Sequence, residues 1–482
     1  MQHQVEAPLT LGLDVAHLRT PRRVHVRETL TLAVPVAIGQ LGHVMLGVID
    51  SAMVGRVGTV QLAASALVHG LFFLLFVTGV GVSLAITPLV AMAQGGGRTG
   101  ESWQVLRHGL VMNLAFAVLC VGGGYLIAES IPLLGQPADV TAEAVAYMHV
   151  MLWCYPLMMA YHAYRQFIEG LGETRPAMVI AICANGMNAL LNWIFIFGHF
   201  GMPALGLVGA GLSTVATEVA MLVALVTYVY RSPRYRAERL ATGRTDALVR
   251  LGRTDALVRH RVATFRRSFN PALLRRLISI GIPSGLQYLF EVSAFSLSAI
   301  MVGWAGSVSL AAHQVALSLA SVTYMIILGI TSAATIRVAN AAGRGARADL
   351  RRAGFVAIAM GAAVMCTFGV LFAVLREQLP RLYVADPAVI EMASSLLVIA
   401  AIFQIMDGTQ AVSMGALRGI TDVKAPSVIS FLAYWVVSLP VGYLFGIHMH
   451  WGAIGVWTGF VFGLAVASSL FLTRFAFKTT VT

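Results

Sequence analysis

PVAIGQLGHVMLGVIDSAMVGRVG, residues 35–58, returns 248 residues later as PSGLQYLFEVSAFSLSAIMVGWAG, residues 283–306. The ungapped alignment extends over residues 35–97 and 283–345, with 20 of 63 positions identical. A composition this biased gives about a tenth by chance. Pro35 falls on Pro283, Met53-Val54-Gly55 on Met301-Val302-Gly303, and Gly81, Thr87 and Gly95 on Gly329, Thr335 and Gly343. Both copies are almost wholly apolar, so the duplicated unit reads as a membrane bundle. Two like halves with a site at their interface are a common transporter plan.

Composition supports this reading. Hydrophobic residues make up 58% of the 482 and charged residues 11%, where a soluble chain carries about a quarter charged. Runs of about 20 apolar residues, each long enough to cross a hydrocarbon core as a helix, recur from end to end. Twelve spans are expected, near 29–54, 60–92, 105–128, 141–169, 177–198, 206–230, 273–303, 308–338, 352–375, 388–417, 425–446 and 453–476. The repeat continues past span 2. Gly109 matches Gly354, GLGETRP (170–176) echoes RGITDVKAP (418–426), and GLVG (206–209) matches GAIG (452–455). Six spans therefore pair with six. An even number per half makes the repeat parallel, about an axis along the membrane normal. The expected fold is an all-α integral membrane protein of twelve transmembrane helices in two six-helix lobes related by a parallel pseudo-twofold. Its parts are an N-terminal tail (1–28), an N-lobe (29–230), a basic linker (231–272), a C-lobe (273–476) and a C-terminal tail (477–482).

The net charge of +12 is explained by its placement. Sorting the 33 Lys and Arg by loop puts 30 on one side, leaving only Arg56, Arg376 and Arg381 on the other. This positive-inside asymmetry makes both termini and the linker cytoplasmic, and the partner a lipid bilayer with no nucleic acid. Residues 1–27 are polar and lead straight into a full-length span, so no cleavable signal is expected. Cys120, Cys154, Cys183 and Cys366 all fall in spans with no CxxC or Cys/His cluster, and read as packing residues. In the linker GRTDALVR occurs at 243–250 and again at 252–259. It reads as a tolerated tandem duplication, with attraction to anionic headgroups as the alternative.

Ionisable groups inside spans are costly, about 2.5–3.5 kcal/mol for a carboxylate on insertion scales, so they tend to face a cavity. Four acids stand out: Asp50 in span 1, Glu218 in span 6, Glu291 in span 7 and Asp407 in span 10, with His43 the notable histidine. Asp50 is read as a proton acceptor, because low dielectric favours a neutral carboxyl. Asn188 and Asn192, four apart on span 5, share a helix face. Their amides can hydrogen-bond Asp50 or help hold a cation. Glu291 and Asp407 can bind Na+, a proton or an organic cation. The acids do not repeat: Glu291 aligns with His43, Asp407 with Leu157 or Met158, and Asp50 with Ser298. Glu218 has no evident partner. Met53, Phe290 and Met406 are candidates to line a cavity for flat aromatic cations.

No Walker A motif, HExxH or nucleophile with recognisable local partners is present, so neither an enzyme nor a cofactor is expected. GVGVSLA in span 2 reads as close helix packing.

Several motifs in order resemble the multidrug and toxic compound extrusion (MATE) family, in its NorM-like bacterial branch. They are LAVPVAIGQL and VIDSAMVG in span 1, and NALLNWIFIFGHFGMPALGLVGAG across spans 5 and 6. GIPSGLQYLFEVSAFS, LAAHQVAL, FQIMDGTQ with GALRGITDVKAP, and YWVVSLPVGYLFG with WGAIGVW complete the set. The resemblance covers the chain from about residue 28, excepting the linker. It implies a twelve-helix antiporter exporting cationic drugs against inward H+ or Na+. It assigns Asp50, Asn188 and Asn192 to an N-lobe proton or cation site, and Glu291 and Asp407 to a C-lobe site able to take a substrate cation or Na+. Some Na+-coupled members carry a tyrosine one turn before the span 10 aspartate; Phe403 stands there in this chain. The implied partners are small-molecule cations, H+ or Na+ and lipid, for a monomer in a bacterial inner membrane. A flippase for lipid-linked oligosaccharides of the same superfamily is the alternative. It would want a cationic cavity for pyrophosphate, and no Arg or Lys reads as lying deep in the spans.

Overall fold

A computed structural model describes residues 21–235 and 269–481; most of the expected linker, with its GRTDALVR repeat, lies outside the described residues. Among the described residues, twelve helices are long and apolar enough to cross a membrane. Spans 1–6 are Arg22–Val54, Thr59–Gly95, Gly100–Leu134, Ala138–Gly170, Arg175–Phe197 and Gly206–Arg231. Spans 7–12 are Pro271–Gly303, Ser307–Gly343, Arg347–Val374, Pro387–Gly419, Lys424–His448 and Gly452–Thr480. Spans 7 and 10 start where the sequence caps them. Asn270 Oδ1 accepts from the backbone N–H of Ala272 (3.0 Å), and Asp386 Oδ1 from that of Ala388 (2.9 Å). Proline follows each cap at the first helical position, where no donor is needed. Pro35 and Pro283 occupy equivalent points inside spans 1 and 7, each removing one rung of the helix ladder.

The duplication is preserved at atomic scale. A Cβ added to Gly170 would lie 2.8 Å from Val90 Cβ, 2.9 Å from Val90 Cγ1 and 3.0 Å from the Thr87 carbonyl oxygen. A Cβ on Gly419 would lie 2.8, 2.9 and 3.0 Å from the same atoms of Val338 and Thr335, 248 residues on from Val90 and Thr87. In each lobe this glycine lets span 4 or span 10 press onto its second or eighth helix.

The short loop at residues 96–99, the tight loops after spans 4, 8 and 10, and the ends of spans 6 and 12 share one end of the bundle. With Arg98, Arg175, Arg344, Arg347 and Lys424 on it, we call it the basic face. The lobes meet there by reciprocal contacts. Gly81 of span 2 abuts the Ser284–Gly285 backbone of span 7, while Gly329 of span 8 abuts Ala33 and Ala37 of span 1. Closer to the face, Gly95 rests on Asn340 and Gly343 on Met92. Arg337 of span 8 ties span 1 through the Glu28 carboxylate (2.7 Å), the His25 carbonyl (2.7 Å) and Thr29 Oγ1 (2.8 Å). Apolar clusters follow the same division. Val82 and Met112 pack with Leu277 and Ile280, and Ala33 with Ile327 and Ile330, all in the half toward the basic face. Toward the far face, Val54, Val68, Met148 and Ile196 form a cluster within the N-lobe, and Met301, Val315, Ala393 and Trp457 one within the C-lobe. The lobes are thus closed on the basic face, and no described apolar cluster bridges them on the other.

Candidate ion and substrate sites in the two lobes

Spans 1, 5 and 6 converge on Asp50. Asn192 Nδ2 donates to Asp50 Oδ1 at 2.6 Å, and Thr214 Oγ1 donates to Oδ2 at 3.1 Å. Asn192 Nδ2 also lies 3.1 Å from Asn188 Oδ1, as the four-residue spacing requires. The three residues singled out from sequence therefore come together. Asn192 presents its N–H, not its oxygen, to the carboxylate. Asp50 is buried, at 4% exposure, with a donor on each oxygen and no Lys or Arg paired to it. Beside it, the Tyr147 hydroxyl meets His69 Nε2 at 3.1 Å, and His69 is within electrostatic range of Asp50. Sequence reading missed Thr214, His69 and Tyr147. Thr214 carried a faint signal, lying one turn before Glu218 on span 6.

The C-lobe site is built around Glu291. It faces Gln410 of span 10, Tyr434 of span 11 and, at longer range, Arg418. Asp407, three residues before Gln410, faces Glu291, and Tyr324 of span 8 is near both acids. The Tyr434 hydroxyl donates to Gln410 Oε1 at 3.1 Å, and Glu291 Oε2 is buried without a hydrogen-bond partner. Tyr434 sits in a π-helical stretch of span 11, Leu432–Ser438, a distortion that recurs at functional sites. The structure brings Glu291 and Asp407 together, but it does not join them to the Asp50 group; each lobe keeps its own site. Phe403 stands one turn before Asp407 on span 10. Its ring packs on Phe295 (6.3 Å) and Trp457 (5.8 Å) in the C-lobe core.

Two expectations need correction. Buried cations do occur: Arg165 and Arg418 are each about as enclosed as Asp50, although they lie five and one residues from the basic-face ends of spans 4 and 10. Arg165 Nε is bonded to the Glu169 carboxylate at 2.7 Å, and Arg418 lies over the Tyr288 ring at 5.9 Å. Loop sorting had assigned both arginines to the surface and overlooked Glu169. Met53 and Met406 are partly buried against apolar clusters, and Phe290 packs against Phe431 at 5.2 Å. Of the cysteines, Cys120 and Cys154 are buried, while Cys183 and Cys366 are exposed on the bundle surface.

The duplicated helices agree with comparisons to known proteins. The MatE family pattern matches residues 35–194 and again 283–444. The chain belongs to the MatE family. It is 35% identical to the multidrug resistance protein MdtK of Pectobacterium atrosepticum over 456 residues, 94% of this chain and 95% of that one. It is 34% identical to MdtK of Yersinia enterocolitica over the same share of each chain. Its fold is that of the eukaryotic MATE transporter AtDTX14 (TM-score 0.79, 19% identity, 95% of this chain and 98% of that one). It is equally that of a multidrug resistance MATE family transporter solved in an outward-facing conformation (TM-score 0.79, 18% identity, 98% and 99% covered). This MATE chain is therefore a twelve-span, multi-pass membrane transporter, not an enzyme.

Proposed function

We propose that this transporter exports cationic, amphipathic drugs in exchange for inward H+ or Na+ by alternating access of its two lobes. The observation that carries the reading is the buried Asp50 with hydrogen-bond donors on both oxygens and, among the described residues, no Lys or Arg paired to it. A carboxylate so placed can be neutralised by taking up a proton. The names of the MdtK relatives, multidrug resistance proteins, support the cargo. The clustering of Lys and Arg supports a cytoplasmic basic face and cytoplasmic termini. On this reading the closed basic face makes the described form the outward-facing one. A drug cation and the coupling ion compete for the acids, so each weakens binding of the other, and inward ion flow drives the drug out. A 100 mV potential contributes about 2.3 kcal/mol per charge entering. We further propose a monomer in a bacterial inner membrane.

Purified protein in liposomes, given an imposed pH gradient or an imposed Na+ gradient, tests this. Uphill movement of a fluorescent cation such as ethidium under either gradient is expected. Movement under neither would overturn the antiport.

Arg418 favours a second reading, a lipid-linked oligosaccharide flippase, because two of its guanidinium nitrogens are buried without partners. Its neighbour Glu291 and the Arg165–Glu169 pairing oppose an anion site, and we place the flippase second.

A further inference from the structure

A row of titratable groups that no part of the coupling scheme uses runs through the N-lobe, from Asp50 toward the basic face. Asp50 lies four residues short of the far end of span 1, roughly 6 Å at a helical rise of 1.5 Å per residue. A proton taken there from the far face has most of the hydrocarbon core still to cross, and it cannot do so unaided. Thr214, bonded to Asp50, stands one helical turn before Glu218. Glu218 is enclosed within electrostatic range of Cys154 and Tyr161 of span 4. The Tyr161 ring lies 5.9 Å from His43 and 5.9 Å from His162, and the two imidazoles stack at 6.1 Å. Arg165 and Glu169 follow on the next two turns of span 4, and Glu169 Oε2 accepts from Ser332 Oγ of the other lobe at 3.3 Å.

Four polar atoms in this row are buried without any hydrogen-bond partner: Glu218 Oε2, Tyr161 OH, His162 Nδ1 and His43 Nε2. Buried polar groups are ordinarily satisfied; these four neighbours have no other partner in the described form, so each is free to take a donor or acceptor from the next when the packing around it changes. Resting on the proton-coupled form of the proposed function, we propose that Glu218, Tyr161, His162 and His43 form the exit path for the proton bound at Asp50. The proton leaves the Asp50 carboxyl, which returns to carboxylate, and Glu218 accepts it. The Tyr161 hydroxyl accepts one proton as it passes its own to an imidazole. The imidazolium then releases it to the basic face, so one proton enters and one leaves. The Arg165–Glu169 pair with Ser332 closes the lower end at the lobe seam. The path therefore opens only when the lobes part on that side, which keeps protons from leaking through the closed form.

The test uses full-length protein in liposomes, with ethidium as the probe. Two rates are compared: ethidium transport driven by a pH gradient, and ethidium–ethidium exchange at equal pH, which needs no net proton movement. Glu218→Gln and Tyr161→Phe are each expected to lower the driven rate by about tenfold or more while exchange stays within about twofold, and Glu218→Asp to restore most of the driven rate. Driven transport at the wild-type rate in Glu218→Gln would overturn the path, as would equal loss of both rates, which marks a structural role. Should Glu218→Gln fail to insert, Tyr161→Phe carries the same comparison. Wild-type protein that moves ethidium with a Na+ gradient but not a pH gradient would instead overturn proton coupling itself.

Discussion

Asn192 turns its amide nitrogen to Asp50 Oδ1 at 2.6 Å, across 142 residues of sequence, and in doing so joins span 5 to span 1 at the centre of the N-lobe site. Because the amide donates, it stabilises the carboxylate form, while burial opposes it. On the proposed function, this is the carboxyl that gains and loses a proton during the cycle.

Asp50→Asn keeps the size of the side chain and removes its titration. It should abolish ion-driven export while the protein still inserts in normal amount. Thr214→Ala removes one donor to the charged form, worth about 1.5–3 kcal/mol, and should reduce driven transport roughly tenfold or more. Ethidium transport per inserted molecule measures both, and full activity in Asp50→Asn would remove this residue from the mechanism.

Glu291→Gln and Asp407→Asn should each weaken export, because the two acids face one another and share their neighbours Tyr324 and Tyr434. Drug resistance conferred on a sensitive bacterial host is the measurement. Wild-type resistance in both variants would leave the C-lobe site without support.

The seam on the basic face offers a conformational test. A Cβ on Gly343 would fall on the Met92 carbonyl, so Gly343→Ala overpacks the closed form by about 1–3 kcal/mol. Arg337→Ala removes its bonds to Glu28, His25 and Thr29. Either change should raise the population open on the basic face several-fold. A Ser332→Cys reporter should then react faster with an impermeant maleimide applied to that face. Unchanged labelling would show that these contacts do not hold the closed form.

Deleting residues 252–259, one of the two GRTDALVR copies, should leave transport within about twofold of wild type. The segment lies between the two stretches that match the family pattern. Lost transport would give the repeat a role beyond spacing.

The seam could not be read from the alignment, although its glycines Gly81, Gly95, Gly329 and Gly343 repeat. Gly95 and Gly343 align, as do Met92 and Asn340, but only the packed bundle shows that each glycine meets the other copy's neighbour and not its own. Arg165 and Arg418 were misjudged for a related reason. Counting charges by loop treats a residue one turn inside a helix end as exposed, whereas Glu169 and Tyr288 enclose these two. Glu218 and His43 were legible as odd residues in apolar spans, without any indication that Tyr161 and His162 connect them.

Twelve apolar runs, their duplication and the shared face of Asn188 and Asn192 were determined by the sequence alone, because hydrophobic length and helical period are local properties. Which residues meet across hundreds of positions was decided only in the tertiary structure. Thr214 completing Asp50, Tyr434 and Gln410 facing Glu291, and the closure of the lobes on the basic face all depend on how helices pack. Glycine contacts and buried hydrogen bonds set that packing, and neither leaves a periodic trace along the chain.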